Sequence, residues 1–497
     1  MTALHQPCAT GAPNPQLTGR TRAPDPAGGP DLISPPAPPP RSPPSPPSPP
    51  SPRPTALAFA LLGTVQATLI FTLAALAVPL PRIGRQFGLA HADLILLSAS
   101  YGLAFAGLLL FGGRLADRYG GRPVFAAGLL VFAAASVLVP LAPTYPVLLG
   151  ARFGQGVGAA LTAPAAMALL RALFPQPAAY GRAMATWGGL NMLGATAGNV
   201  LAGVATALWS WRAAFAVPVL VAGGAPPPAP GVLPARSPRS GPAEPRAGLD
   251  LPGALLVTAG VTLASYGLVV SDTYSWISYP VLVPLLAGAA LLTAFLAVER
   301  RARDPLLPPH FLRDGRRAAG LLAVAVTAAG ASVTFVVLSL QLQEQRGWSA
   351  LETSAVFVPF AVAQLAAGRA AGPLIARIGA ARTTAGGLVT AAAGLGLIAL
   401  TGLAEHLPYA YGLLPATLLL PAGAAVAFAG AAVLATDKVP AAQAGLAGGV
   451  FNTAMELGAS VVFAAALSLG GDTGSFAALA AGFAVLALVN SRVGRRR

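Results

Sequence analysis

Charge inside an apolar stretch that is long enough to cross a lipid bilayer needs a reason, and two charged side chains in such stretches are candidates for function. They are Arg152 and Glu456. A buried arginine costs at least ~2.5 kcal/mol on membrane-insertion scales, so ionisable residues there are candidates for ion or proton pathways. Glu456 is the carboxyl that could bind and release a proton, and Arg152 is a candidate functional cation.

Each of these residues has a polar neighbour on its own helical face, and each has a structural alternative. Gln155 follows Arg152 by three residues, and Asn452 precedes Glu456 by one helical turn and could orient it. Alternatively, Arg152 could extend to the membrane interface, and Glu456 could be a structural residue hydrogen-bonded to Asn452. Glu344, near the end of another apolar run, is a weaker candidate.

Several uncharged polar residues also interrupt the apolar runs. They could line a mostly apolar substrate cavity, although each could equally form a hydrogen bond between helices. The candidates are Gln66, Tyr101, Asn191, Gln341, Gln364 and Asn452.

A short charged segment with regularly placed glycines connects two of the apolar runs. Its glycines permit a tight turn between adjacent helices, and its aspartate and arginines can pair with each other or with helix ends. Arginines that merely anchor the topology are the alternative, but the glycine spacing together with the acid favours a conformational latch. The residues concerned are Gly113, Leu115, Asp117, Arg118, Gly120 and Arg122.

This segment returns in weakened form later in the chain. The stretch from Gly372 to Gly379 repeats its glycines, one leucine and one arginine at a constant offset of 259 residues, with Ala376 in place of Asp117. Each copy follows the second span of a predicted set of six. Duplicated six-helix halves with a substrate site between them are a transporter architecture.

The composition explains why membrane helices must position these residues. Of the 497 residues, 55% are hydrophobic and only 9% are charged, whereas a soluble domain has roughly 25% charged residues. We predict an all-α polytopic membrane protein with about 14 transmembrane helices, arranged as two six-helix bundles with two extra central helices. The predicted spans are 55–81, 94–113, 123–142, 146–170, 184–208, 212–232, 251–270, 279–298, 318–343, 353–375, 383–403, 408–435, 445–470 and 474–491.

The loops predict the orientation and the domain boundaries. Arginines concentrate in alternate connections, which places both termini in the cytoplasm of a multi-pass cell-membrane protein. The span after Arg212 contains a proline-rich stretch at 223–231 that is unfavourable for a helix. The predicted parts are a disordered Pro-rich tail (1–54), an N-terminal bundle (55–235), a linker with two inserted helices (236–317), a C-terminal bundle (318–491) and a basic tail (492–497).

Several functions are excluded by what the sequence lacks. The net charge of +15 is dispersed in short clusters without interleaved aromatics, so no nucleic-acid partner is expected. Lys438 is the only lysine and follows no glycine-rich loop, which argues against a P-loop ATP motor. Cys8 and four scattered histidines give no metal site, and no catalytic set of residues is visible, so an enzyme is not expected.

Three motifs resemble signatures of the major facilitator superfamily. The Gly113–Arg122 segment is similar to its loop between helices 2 and 3, and Arg152-x-x-Gln155-Gly156 is similar to its fourth-helix motif. A small-residue stretch in the fifth span resembles its antiporter motif and would in any case pack closely against another helix. That stretch contains Gly194, Gly198, Asn199, Ala202 and Gly203, with Asn199 where the motif has proline.

The resemblance, which covers about 55–491, extends to the fourteen-span drug:proton antiporter branch. It implies proton-driven export of hydrophobic or amphipathic small molecules by alternating access. The gradient would be the energy source, with no cofactor and a monomeric chain. It assigns Arg152 and Gln155 a part in proton transfer and the charged segment the role of holding one access state. The first span lacks the acid usual in this branch. An exporter of a single metabolite and a non-transporting scaffold or sensor are the alternatives.

Overall fold

Long uncharged runs of alanine, leucine and valine form helices in this chain. In a bilayer, each backbone polar group must be satisfied within its own segment, and a helix achieves this. The computed structural model describes residues 52–76, 79–224, 233, 250–271, 274–302, 305–344, 347–348, 350–402, 409–459 and 472–493. Most of the two predicted tails (1–51 and 494–497) and most of the proline-rich stretch at 223–231 lie outside these residues.

The first part of the described chain consists of seven α-helices. Helix α6 begins with a proline at its first position, where the missing N–H would in any case have no partner within the helix. A 3₁₀ turn at Trp211–Phe215 leads into α7. The helices are α1 (Pro52–Ala74), α2 (Leu80–Phe87), α3 (His91–Tyr119), α4 (Gly121–Leu141), α5 (Tyr145–Leu173), α6 (Pro177–Leu208) and α7 (Ala216–Gly224).

The second part repeats this organisation after two inserted helices. The inserted helices are α8 (Leu251–Val270) and α9 (Tyr279–Glu299). A π-helical segment, Ile398–Gly402, continues α13. The remaining helices are α10 (Pro309–Arg313), α11 (Gly315–Glu344), α12 (Ala350–Ile378), α13 (Ala380–Leu397), α14 (Tyr409–Gly412), α15 (Leu414–Thr436), α16 (Ala444–Leu457) and α17 (Asp472–Val493).

Within the described residues, ten helical segments are long and apolar enough to cross a membrane, and two shorter apolar helices accompany them. Each of the fourteen predicted spans overlaps a helix. The ten do not include α6, α7, α16 and α17, which correspond to the predicted spans 184–208, 212–232, 445–470 and 474–491. The prediction of an all-α polytopic fold is therefore confirmed, while the exact domain boundaries remain predictions.

The two sets of helices pack internally in the same way, and we call them the N-terminal and C-terminal halves. In the N-terminal half, α4 packs on α5 and α3 on α5, while α1 packs on α6 and α7. The equivalent pairs in the C-terminal half are α13 on α15, α12 on α15, and α11 on α16 and α17. The same neighbours recur at equivalent places, which is the expected result of duplicating one six-helix unit.

The inserted helices pack on each other, and α8 also packs on α3 of the N-terminal half. The chain that leaves α9 is held there by two polar side chains. Both Glu299 carboxylate oxygens accept backbone N–H groups, from Leu306 and Leu307, at 3.0 Å. Arg114 of α3 donates its Nε–H to the Leu306 carbonyl at 2.8 Å. The inserted pair is thus attached to the helix that carries the charged segment.

The charged segment is largely helical, which corrects the expectation of a turn beginning at Gly113. Helix α3 continues to Tyr119, and α4 begins at Gly121, so the turn is confined to Gly120. Gly120 has φ 100° and ψ 147°, a backbone conformation that is essentially limited to glycine. Gly379 adopts nearly the same conformation, with φ 82° and ψ 159°. Both copies therefore join adjacent helices through a glycine in nearly the same backbone conformation.

Candidate functional site

Arg152 is fully buried, so it does not extend to the membrane interface as the structural alternative required. Its Nη1 donates to the Thr72 carbonyl at 3.1 Å and to Gln155 Oε1 at 2.9 Å. Gln155 in turn donates to the Ser136 hydroxyl at 3.0 Å. Gln155 therefore orients Arg152, and the network connects helices α1, α4 and α5.

The rest of the Arg152 guanidinium faces aromatic rings. Its Cζ lies 5.1 Å from the Tyr101 ring centroid and 6.0 Å from that of Phe215. Its Nε and Nη2 are buried and have no hydrogen-bond partner among the described residues. Aromatic faces stabilise a cation only partly, so the site retains capacity for a further negative or polar group.

Tyr101 connects this cation to the C-terminal half. Its hydroxyl donates to the Leu69 carbonyl at 3.0 Å, and its side chain is close enough to interact electrostatically with both Arg152 and Glu456. Glu456 lies on α16, which packs against α3, the helix of Tyr101. The structure therefore brings the two proton-coupling candidates, from opposite halves, to one tyrosine. Asn452 is buried, and its amide donates to the Gly448 carbonyl of its own helix at 2.8 Å.

Two of the substrate-cavity candidates form a pair. Gln66 of α1 donates to Asn191 of α6 at 3.1 Å, and the Gln66 Oε1 is buried without a partner in the part of the chain that the structure describes. Gln364 of α12 is half-buried and lies beside Gly188 of α6. These side chains provide polar groups where the halves meet. Gln341 lies on α11, but its side chain is outside the described residues, as is that of Glu344.

Asp117 joins the two halves at the end of the molecule where the Gly120 turn lies. Its two carboxylate oxygens accept the backbone N–H groups of Gly445 at 2.6 Å and Leu446 at 2.8 Å. These amides belong to the first turn of α16, which lacks a side-chain cap from its own N-cap residue, Gln443. A carboxylate at a helix N-terminus satisfies free donors and complements the helix dipole. Asp117 is therefore a cap supplied by the opposite half.

Gly113 allows this contact because its backbone lies directly against that of α16. A Cβ atom built on Gly113 would contact the Gly445 carbonyl group and would lie 3.4 Å from the Gly449 Cα. Gly449 itself faces the Leu109 carbonyl of α3. Small residues at the crossing let two helices approach closely, and here they bring Asp117 within reach of the α16 amides.

The remaining residues of the charged segment surround this contact. Leu115 packs against the hydrophobic core. The Arg118 guanidinium carbon lies 5.6 Å from the Tyr119 ring centroid, and Arg122 is half-buried in the first turn of α4. Arg114, which the sequence analysis did not single out, anchors the linker described above. Its position inside the motif is the sequence feature that could have identified it.

The weaker copy of the segment makes the equivalent contact without a carboxylate. Helix α12 packs on α6, just as α3 packs on α16. A Cβ atom on Gly372 would meet the flexible stem of Arg182 and would lie 2.9 Å from the Ala178 carbonyl oxygen. Ala376, at the position of Asp117, is exposed. The two crossings are related by the duplication, but only one has a polar cap.

The small residues of α6 pack against α1. A Cβ on Gly198 would lie 2.6 Å from the Phe71 carbonyl oxygen and 3.1 Å from the Ala74 Cβ, and Gly194 lies against the Ala67 carbonyl. Ala202 is fully buried. Asn199 and Gly203 are half-buried on the same helix. The segment is therefore a close-packed seam within the N-terminal half.

Two similarly packed helical halves, with polar and charged groups at their junction, define a class of transporter, and comparison with known proteins identifies the family. The family model of the Major Facilitator Superfamily matches residues 60–463. The chain belongs to the Major Facilitator Superfamily and is a multi-pass membrane transporter of small molecules. The resemblance predicted from the motifs is thereby confirmed.

Curated relatives match along most of their length. The chain is 35% identical over 432 residues to "Cephamycin export protein CmcT" of Amycolatopsis lactamdurans, covering 85% of this chain and 87% of the relative. It is 35% identical over 393 residues to "Puromycin resistance protein pur8" of Streptomyces alboniger, covering 77% and 75%.

A solved structure shares the fold. The human organic anion transporter MFSD10 (TETRAN) superposes with a TM-score of 0.59 at 18% identity, and the match covers 89% of this chain and all of that one. At this identity the likeness concerns the fold alone.

Proposed function

We propose that this protein exports hydrophobic or amphipathic antibiotics and related small molecules across the cell membrane in exchange for protons. The names of its relatives, a cephamycin export protein and a puromycin resistance protein, support the substrate class. The proton gradient is the energy source, with no cofactor and no catalytic chemistry, and the chain works as a monomer. Both termini lie in the cytoplasm, as the arginine distribution predicts.

One observation carries the proposal of proton coupling. Tyr101 contacts Arg152 from its own half and lies within electrostatic range of Glu456 from the other. Protonation of Glu456 would remove a negative charge near Tyr101 and so change the electrostatic environment of Arg152. A carboxyl that is protonated in one arrangement of the halves and ionised in the other couples proton movement to alternating access.

The substrate binds between the halves in this proposal. Gln66 and Asn191 on one side and Gln364 on the other supply hydrogen-bonding groups in an otherwise apolar surface. The unpartnered Oε1 of Gln66 is the acceptor that a substrate N–H or O–H would use. A few polar groups in an apolar pocket are the usual composition of a small-molecule site.

The Asp117 contact holds one of the two access states. It joins the halves at the end that carries Gly120 and Gly379, which the arginine distribution assigns to the cytoplasm. Two charge-assisted hydrogen bonds of about 1.5–3 kcal/mol each are large enough to govern an equilibrium between two states. The arrangement is therefore the state closed toward the cytoplasm.

A dedicated exporter of one natural product is the second candidate. The printed name of one relative, a cephamycin export protein, specifies a single compound class. The two candidates differ in breadth of substrate rather than in mechanism. A transport panel that includes puromycin, a cephamycin and unrelated amphipathic cations separates them, because a dedicated exporter accepts one member only.

Proteoliposomes with an internal pH probe test the proposed exchange. Addition of a transported compound should produce a proton flux of opposite direction that is lost when the membrane is made permeable to protons. Glu456→Gln should abolish this flux, and Glu456→Asp should retain part of it because the carboxyl remains. Undiminished drug-driven proton flux in Glu456→Gln would eliminate Glu456 as the proton carrier. Drug movement without any pH change would contradict antiport.

A further inference from the structure

A second polar site lies between the halves, separate from the Arg152 network and from the Asp117 contact. It is a small cleft of about 30 Å³ with an open mouth, and we call it the Arg171 cleft. Its walls come from the last turn of α5, the first turns of α6, the end of α15 and the beginning of α16. The lining residues are Met167, Arg171, Tyr180, Thr436, Val439, Ala444, Ala447 and Gly448.

Two buried hydrogen-bond donors lie in this cleft, and among the described residues Tyr180 has only a neighbouring threonine hydroxyl beside it. The Nη1 of Arg171 and the hydroxyl of Tyr180 are both buried, and neither meets a partner at hydrogen-bonding geometry within the described part of the chain. The Tyr180 side chain is fully buried. Its hydroxyl lies next to that of Thr436, which donates its own proton to the Ala432 carbonyl at 2.8 Å and keeps lone pairs that can accept from Tyr180. A buried N–H group without an acceptor is unfavourable, and a ligand that accepts from Arg171 Nη1 would remove that cost.

The two donors are held close to one another. The Arg171 guanidinium carbon lies 5.0 Å from the Tyr180 ring centroid, so the aromatic ring fixes the position of the cation beside the hydroxyl. A planar guanidinium and a neighbouring hydroxyl present several N–H and O–H groups to one small acceptor. Guanidinium groups bind phosphate oxygens well because their forked donors match that geometry.

The electrostatic surroundings favour an anion. Arg171 is the cation of the cleft, and the start of α16, which borders the cleft at Ala444, is already capped by Asp117. Two carboxylates on the helices and loops that border the cleft are engaged elsewhere. Asp117 accepts the Gly445 and Leu446 amides, and Asp437 Oδ2 lies 3.9 Å from Arg316 Nη2. Neither aspartate lines the cleft.

We propose that the Arg171 cleft binds a phosphate group, with Arg171 and Tyr180 as its hydrogen-bond donors. The same chemistry is present in inorganic phosphate and in the headgroup of an anionic phospholipid, since the cleft lies at helix ends. A bound phosphate would lie between α5 and α6 of one half and α16 of the other, one residue from the amides that Asp117 caps.

Direct binding measurements test the site without reference to transport. Purified protein in a phosphate-free maltoside detergent is titrated with inorganic phosphate by calorimetry, and in a second arm with phosphatidylglycerol by native mass spectrometry. Binding in the first arm identifies a free anion as ligand, and binding in the second arm alone identifies a lipid headgroup. Either result supports the site only if it depends on the two donors.

Variants establish that dependence. Arg171→Gln should weaken binding tenfold or more, because it removes a charge-assisted contact. Tyr180→Phe removes one hydroxyl with little change in shape and should weaken binding several-fold. Arg182→Gln is the matched control, since Arg182 is an exposed arginine at the start of the same helix, and it should bind as the parent does.

Two results would overturn the proposal. One is the absence of binding in both arms, which would mean that water alone occupies the cleft. The other is equal binding by the parent, Arg171→Gln and Tyr180→Phe, which would place the ligand elsewhere. Because Tyr180→Phe is nearly isosteric, its thermal unfolding provides the check that lost binding does not reflect lost folding. Failure of binding leaves the transport proposal untouched, and failure of transport leaves the binding result valid.

Discussion

The two copies of the charged segment occupy equivalent places and differ in one functional group. In each half, the second membrane helix crosses the beginning of the fifth helix of the other half, and in each a glycine with positive φ follows. The first copy places the Asp117 carboxylate on two amides of α16. The second copy has Ala376, which is exposed, beside α6.

The two target helices begin in similar ways, since neither Gln176 before α6 nor Gln443 before α16 provides a side-chain cap. Helix α6 begins at Pro177, which has no N–H to satisfy and is therefore well suited to the first helical position. Helix α16 begins at Ala444, after a Gln443 that provides no side-chain cap. Its free amides need an acceptor, and Asp117 supplies one. The comparison teaches that two related crossings can share the same close packing while a carboxylate caps only one of the target helices, so the latch is asymmetric.

The largest expected effect is that of Asp117→Asn. The substitution removes the negative charge and leaves one amide oxygen where two carboxylate oxygens accepted, with a loss of about 1.5–3 kcal/mol of contact energy. That corresponds to a roughly 10- to 100-fold shift between the access states. Initial rates of substrate uptake into inverted vesicles should fall at least tenfold. Wild-type rates at equal protein abundance would contradict the role of Asp117.

The second-largest effect is expected at the glycines of the two crossings, where Gly→Ala should destabilise the two sites by different amounts. Gly113→Ala forces a methyl group against the backbone of Gly445, which cannot move aside, whereas Gly372→Ala first meets the side chain of Arg182. Overpacking costs about 1–3 kcal/mol, and we expect Gly113→Ala at the upper end and Gly372→Ala at the lower. Thermal unfolding of the purified variants measures this difference. A larger destabilisation by Gly372→Ala would reverse the comparison.

Substitution of the two turn glycines should lower stability by similar amounts, because both copies of the segment use the same turn conformation. Gly120→Ala and Gly379→Ala both place a Cβ in a region that only glycine occupies readily, at about 1–3 kcal/mol each. Unfolding midpoints should fall by similar amounts in both variants. A strong inequality would show that the two turns do not serve the same purpose.

The smallest effect is expected from adding the missing acid. Ala376→Asp introduces a carboxylate at an exposed position opposite a helix that begins with proline. Exposed charges near a helix end contribute about 0.3–1 kcal/mol at most, so transport should stay within about twofold of the parent. The test is the same uptake assay. A strong gain or loss would mean that α6 does have unsatisfied donors at this contact.

The sequence predicted the architecture well because its evidence was local. Charge-poor runs, alternating arginines and a repeated segment are enough to predict a polytopic helical fold, and the motifs were enough for the family. It also predicted which charged residues are unusual. It could not predict that Gly113 to Tyr119 continue a helix, because glycine at this position serves close packing against Gly445 rather than a turn.

The sequence alone could not predict contacts between residues that lie far apart in the chain, and the reason is physical. The partners of Asp117 are backbone amides 328 and 329 residues away, and backbone amides leave no trace in residue types. The same holds for Arg171 and Tyr180, whose significance depends on a cleft formed by four helices. The association of Tyr101 with both Arg152 and Glu456 likewise needed the packing of α16 on α3.

A distance measurement tests the asymmetric latch most directly. Spin labels are placed on exposed residues across each crossing, at Tyr119→Cys with Ala442→Cys and at Ile378→Cys with Gln176→Cys, in a Cys8→Ser background. Pulsed electron resonance then gives the distance distribution of each pair in the parent, in Asp117→Asn and in Ala376→Asp. We predict that Asp117→Asn transfers population to long distances in both pairs, since the halves separate together, and that Ala376→Asp changes neither. Unchanged distributions in Asp117→Asn would contradict the latch, and an equal shift in Ala376→Asp would contradict its asymmetry.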